Sequence, residues 1–171
     1  MLHFPGSERV MDDDKIIVSK TDPTGRIAYA SSYFLEISDF TLDDLLTQQH
    51  SIVRNPNVPR CIFKLLWERL KAGQEVFAYL VNRSKSDDDY YWVFAHVTPT
   101  FDARGEITGY HSNRRKPRVE ALEHIKTLYT RLLAIEAAPG SRKDSLEASY
   151  QMLTQFLAEQ GKDYEEYILT L

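Results

Sequence analysis

Cysteine is nearly absent: Cys61 is the only one in 171 residues. A single thiol cannot close an intrachain disulfide or build a thiolate zinc site, so the expected role of Cys61 is packing in a reducing compartment. Long apolar runs are missing as well, and nothing approaches the roughly 20 residues that a membrane-spanning helix needs. The N-terminal stretch MLHFPGSERVMDDDK has no basic start, apolar segment or small-residue cleavage site of an export signal. These absences predict a cytoplasmic chain without a membrane span.

Positive charge is scarce too. The formal net charge is -4, and the longest basic block is Arg114-Arg115-Lys116, short of a nucleic-acid footprint. There is no Gly-rich phosphate loop, HExxH or GxSxG, and no defensible Ser/His/Asp order, so the chain is not expected to be an enzyme. The acidic runs at 12–14 and 87–89 lack the spaced oxygen ligands and glycine of a calcium loop. They read as solvated turns, with no metal site.

What is present is a succession of short, well-punctuated elements. KIIVSKTD (15–22) and RIAYA (26–30) flank a Pro23-Thr24-Gly25 turn and predict a hairpin. Ser31 or Ser32 then caps a short helix with Tyr33, Phe34 and Ile37 on one side. Thr41 with Asp44 forms a capping box for TLDDLL. Pro59 stands where a helix can start, and Phe63, Leu66, Trp67 and Leu70 follow the spacing of a one-sided helix ending at Gly73. Three segments rich in β-branched and aromatic residues, 75–84, 89–101 and 107–115, predict an antiparallel meander.

Leucine and aromatic stripes at 122–133, 146–157 and 164–171 predict helices to the end of the chain, the first two separated by Pro139-Gly140. The order implies an α+β fold: a five-stranded antiparallel sheet with short helices on one face and a C-terminal helical extension. In the strand from Val76, both alternating sets, Val76/Ala78/Leu80/Asn82 and Phe77/Tyr79/Val81/Arg83, are largely apolar. Each face of the sheet therefore needs cover. The middle helices are expected on one face, and the terminal helices or a second copy on the other.

The stretches TDPTGRIAYASSYF, HSIVRNPNVPRCIFKLLWERLKAGQ, VNRSKSDDDYYWVFAHVTP and GEITGYHSNRRKP resemble PAS domains, in particular the flavin-binding PAS domains of bacterial aerotaxis receptors. The resemblance implies a polar segment over 1–14, a PAS sensor domain over 15–118 and a helical extension over 119–171. It also implies a flavin pocket, with FAD as cofactor, to which Arg54, Asn55, Asn57, Trp67 and Asn82 contribute by position. Asn55 and Asn57 stand where that subfamily has histidine and aspartate, Val76 replaces a tryptophan, and Ser31 replaces an asparagine.

An isoalloxazine ring has two apolar faces and a polar edge. Trp67 can stack on a face, Asn82 can serve the edge, and Arg54 can stabilise negative charge on a reduced ring or a pyrophosphate. The same residues also read as packing and turn chemistry. Haem is the rival cofactor, with His50 the best-placed ligand. Cys61, in Pro-Arg-Cys-Ile, lacks the Asn-Cys-Arg context of light-sensing relatives. A transmitter domain is not expected after Pro117, and the expected output is through contacts: a homodimer, or a separate chemotaxis or kinase signalling protein. The competing class is a ligand-free PAS interaction module.

Overall fold

The computed structural model describes residues 2, 4–86 and 88–171. Met1 and His3 of the N-terminal segment and Asp87 of the second acidic run lie outside the described residues. Strands β1 (Ile17–Thr21), β2 (Ile27–Ala30), β3 (Val76–Arg83), β4 (Tyr90–Phe101) and β5 (Ile107–Arg115) form one antiparallel sheet in the order β2-β1-β5-β4-β3. The hairpin and the meander join through β1 and β5, in a register that sets Ser19 opposite Ser112 and Ile17 opposite Arg114. Gly109 permits the join, since a Cβ there would overlap the Thr21 carbonyl oxygen.

Between hairpin and meander lie α1 (Ser32–Ser38), α2 (Leu42–Leu45), a 3-10 turn (His50–Val53) and α3 (Arg60–Lys71). The Thr41–Asp44 capping box forms. Ser31 occupies the N-cap of α1, but its hydroxyl accepts from the Val18 amide at 3.0 Å, tying the helix start to β1 instead of capping it. The N-terminal segment is also anchored: Arg9 pairs with Asp39 and Asp89, and Met11 is buried.

The buried residues form two clusters, one of which joins the outer sheet face to α3. On the inner face, Tyr91, Val93 and Ala95 pack with Phe34, Ile37, Leu45 and Val53. On the outer face, Tyr79, Val81 and Trp92 pack with α4 (Val119–Glu136) and α6 (Tyr164–Thr170). The Tyr129 hydroxyl donates to the Tyr79 carbonyl at 2.6 Å, fixing α4 on β3. The terminal helices thus cover the outer face within the same chain, and Trp92 and Tyr79 are nearly fully buried without a second copy.

One expectation is corrected. Helix α3 is not one-sided: Cys61, Ile62 and Leu65 are buried as well as Leu66 and Leu70. The reason is α5 (Arg142–Glu159), which packs along the far side of α3 and turns an amphipathic helix into a sandwiched one. Burial pushes the Cys61 thiol up to about 12, which leaves it un-ionised and unreactive at neutral pH.

Candidate functional site

Helix α3 stands off the inner sheet face and leaves a cavity of about 280 Å³. Its apolar walls are Phe63, Leu66, Trp67 and Leu70 from the helix, and Leu80 and Val97 from the sheet. Leu80 and Val97 border both cores, so the cavity lies at their junction. Trp67 is half-buried and meets Tyr110 edge-on, with ring centroids 5.4 Å apart. Gly25 lies beneath the indole at positive φ, and a Cβ there would stand 3.3 Å from the Trp67 ring, so both backbone and space favour glycine.

Of the five residues implied by the resemblance, the fold brings Arg54, Trp67 and Asn82 to the cavity. Arg54 and Asn82 are bridge partners, which fastens the loop after the 3-10 turn to the end of β3. The Arg54 guanidinium lies 3.8 Å over the Phe63 ring, and burial lowers its pKa. Asn55 and Asn57 do not line the cavity. Asn55 is buried and spends its Oδ1 accepting from the Asn57 amide at 3.0 Å, an Asx turn that shapes the loop holding Arg54.

The polar end of the cavity is made by residues that sequence reading did not single out together: Ser19, His50 and Arg114. Arg114 is 2% exposed, with its guanidinium 4.4 Å over the Phe34 ring. Its Nη2 donates to Ser19 Oγ, and Ser19 Oγ lies 3.0 Å from His50 Nε2. Since Ser19 already accepts from Arg114, its own proton can go to Nε2, which suits a neutral imidazole. Burial first, and then the Arg114 charge, pull the His50 pKa down to about 3. Burial also lowers the Arg114 pKa, to about 10, so the group remains charged at neutral pH.

Several polar atoms of cavity-lining residues have no hydrogen-bond partner among the described residues: Arg114 Nε and Nη1, Asn82 Nδ2 and Thr21 Oγ1. Buried polar groups are ordinarily paired, and a cluster of orphans beside a cavity marks a place for a polar partner. A flat group with apolar faces and an acceptor-bearing edge fits this donor set, so the residues present suit an isoalloxazine. They do not suit haem. His50 Nε2 is engaged by Ser19, and the neighbouring guanidinium would oppose a cationic iron. Among the described residues there is no cluster of three or more metal-ligating side chains, and no helix is long and apolar enough to cross a membrane.

Comparison with known proteins agrees with this architecture. Residues 9–112 match the PAS fold family. The aerotaxis receptor of Escherichia coli (strain K12) is 35% identical over 122 residues, which cover 71% of this chain and 24% of the receptor. The nitrogen fixation regulatory protein of Klebsiella pneumoniae is 26% identical over 106 residues, covering 62% of this chain and 21% of that protein. The chain therefore spans about a quarter or less of the length of these relatives. Among solved structures, the light state of the blue-light photoreceptor Aureochrome1 LOV superimposes with a TM-score of 0.57 at 23% identity, covering 65% of this chain and 88% of that one. From the five-stranded sheet, the helix-walled cavity and the matched residues together, the chain belongs to the PAS fold family.

Proposed function

We propose that the chain is a non-enzymatic sensor domain that holds a flavin between α3 and the inner sheet face, and that the state of that ligand reaches the terminal helices. The observation that carries the reading is the cavity's pairing of apolar walls with unpartnered donors on Asn82 and Arg114. The bound group would supply reversible electron uptake. The chain's own residues do the rest. Trp67, Phe63 and Leu80 sandwich the ring and exclude water, Asn82 meets its polar edge, and Arg54 at the rim places a cation where a pyrophosphate can lie.

That rim cation and the resemblance to aerotaxis-receptor PAS domains favour FAD, with redox poise or oxygen as the signal. In this reading residues 15–118 are the sensor and 119–171 the extension that delivers output. The receiver is a second copy or a separate chemotaxis or kinase protein in the cytoplasm. Ser19 and His50 have the spacing of a nucleophile and its base. A His50 pKa near 3 nevertheless makes it a poor proton acceptor at neutral pH, consistent with a sensing rather than a hydrolytic role.

The test is the visible absorption spectrum of the natively purified protein, before and after incubation with FAD or FMN. A yellow, extractable chromophore is expected. A protein that stays colourless after both incubations, or one that purifies with a red Soret band, overturns the reading.

A further inference from the structure

We propose that Arg114 is the specificity-determining residue of the cavity, selecting planar ligands whose inner edge carries hydrogen-bond acceptors able to hold negative charge. This deepens the flavin reading and rests on it for the probe used. Arg114 stands on β5, paired with Ile17 of β1 and Ala95 of β4, so its backbone position is fixed on both sides. Its side chain runs under Phe34 and is nearly inaccessible.

Only Nη2 is satisfied, by Ser19; Nε and Nη1 have no partner among the described residues. No carboxylate there compensates the charge, and the ionisable group that acts on it favourably is the Tyr91 phenol. A buried cation with an incomplete donor set is costly, and a fold that needed only packing would do better with an apolar side chain of similar size. The cost is explained if an incoming acceptor completes the set.

Two neighbours narrow the choice of ligand. His50 is held neutral beside Arg114 and adds no second charge, so the pocket end carries one positive charge. Asn82 Nδ2 offers a further donor from β3, on the far side of β4. A guanidinium and an amide lining one cavity match an edge bearing a carbonyl and an adjacent electron-accepting nitrogen, as on the pyrimidine side of a flavin. They mismatch a hydrocarbon or a cationic ligand.

The experiment compares wild type with Arg114→Met by FMN titration and by thermal melting of the ligand-free proteins. Loss of a charge-assisted contact should weaken FMN binding at least about tenfold. It should also make the midpoint potential of bound FMN more negative, because the lost cation favours the electron-rich reduced form. Ligand-free Arg114→Met should melt at a higher temperature than wild type, as removal of an uncompensated charge relieves the apo fold. Unchanged FMN affinity and potential would overturn the proposal.

If wild type takes up no flavin, the flavin reading fails. The melting comparison then decides the role of Arg114 alone: a rise supports a ligand-facing cation, and a fall shows a structural one and overturns it. Should Arg114→Met fail to fold, Arg114→Gln, which keeps a donor for Ser19 without the charge, is judged on the same readouts.

Discussion

Glu136, the last residue of α4, caps the helix that Arg60 begins: its carboxylate accepts from the Arg60 amide at 2.9 Å and from the Cys61 amide at 3.0 Å. Pro59 at the N-cap makes no side-chain cap, so the first amides of α3 would otherwise be orphans. Arg60 returns the contact through Nε, and reaches Ser145 and the Arg142 carbonyl at the start of α5. The helix that carries Phe63 and Trp67 into the cavity is thus fastened at its N-terminus to both long tail helices. A displacement of α3 by a ligand must move this clamp or strain it, which gives the cavity a mechanical route to the extension.

Glu136→Ala removes four hydrogen bonds, counting that from Ser149 Oγ, and leaves the partly buried Arg60 without its carboxylate partner. A loss of about 3 kcal/mol is expected in urea unfolding, with faster amide exchange in α4 and α5. Burial acts to raise the Glu136 pKa, but the bonds from Arg60, Cys61 and Ser149 bring it below the ordinary value of 4.5. A group with a lower folded than unfolded pKa adds stability that is complete above the unfolded value and is lost as pH falls through the folded one. The Glu136→Ala penalty should therefore be full at neutral pH and shrink below about 4.5; a penalty independent of pH would count against the clamp.

Tyr129→Phe deletes the hydroxyl that reaches the Tyr79 carbonyl across the outer face. The pair is buried, so about 1 to 2 kcal/mol should be lost, and the exchange protection of α4 should drop relative to that of β4. An unchanged denaturation midpoint would show that α4 is held by apolar packing alone.

Much of this fold is readable in the sequence because its signals are local: turn glycines, the Thr41–Asp44 box, alternating strands and the leucine stripes of the tail. Trp67 and Asn82 become site candidates through the resemblance to flavin-binding PAS domains, since their local signals alone also read as packing and turn chemistry. The polar end of the cavity was not legible, because Ser19, His50 and Arg114 meet only through the β1–β5 pairing. Within the basic trio, strand alternation buries Arg114 while Arg115 stays exposed. A closer reading of β5 as a strand buried on its inner face would have raised the question of an arginine at that position. The second buried side of α3 was hidden for a similar reason, since it depends on where α5 docks.

Trp67→Ala removes an indole that is half-buried and makes its ring contact with Tyr110 at the cavity wall. Flavin affinity should fall by roughly fivefold to 150-fold, given about 1 to 3 kcal/mol for a lost aromatic face. The far-ultraviolet circular dichroism spectrum should not change, because both cores persist without this side chain. Unchanged flavin affinity would place the ring elsewhere.

His50 supplies a pH signature distinct from that of the carboxylates. Its folded pKa is near 3 against an ordinary 6.5, with burial the main cause and the Arg114 charge the second. Between those values the unfolded chain binds a proton that the folded one refuses, so stability rises with pH across the window and falls as pH drops from 6.5. Glu136 begins to contribute only below its ordinary 4.5, which leaves the upper part of the window to His50. His50→Gln keeps a polar partner for Ser19 but cannot titrate. Unfolding free energies measured from pH 6.5 to 4.5 should slope downward with falling pH in wild type and be markedly flatter in His50→Gln. Parallel slopes would mean that His50 is solvated and charged, and that the neutral Ser19–His50 contact is wrong.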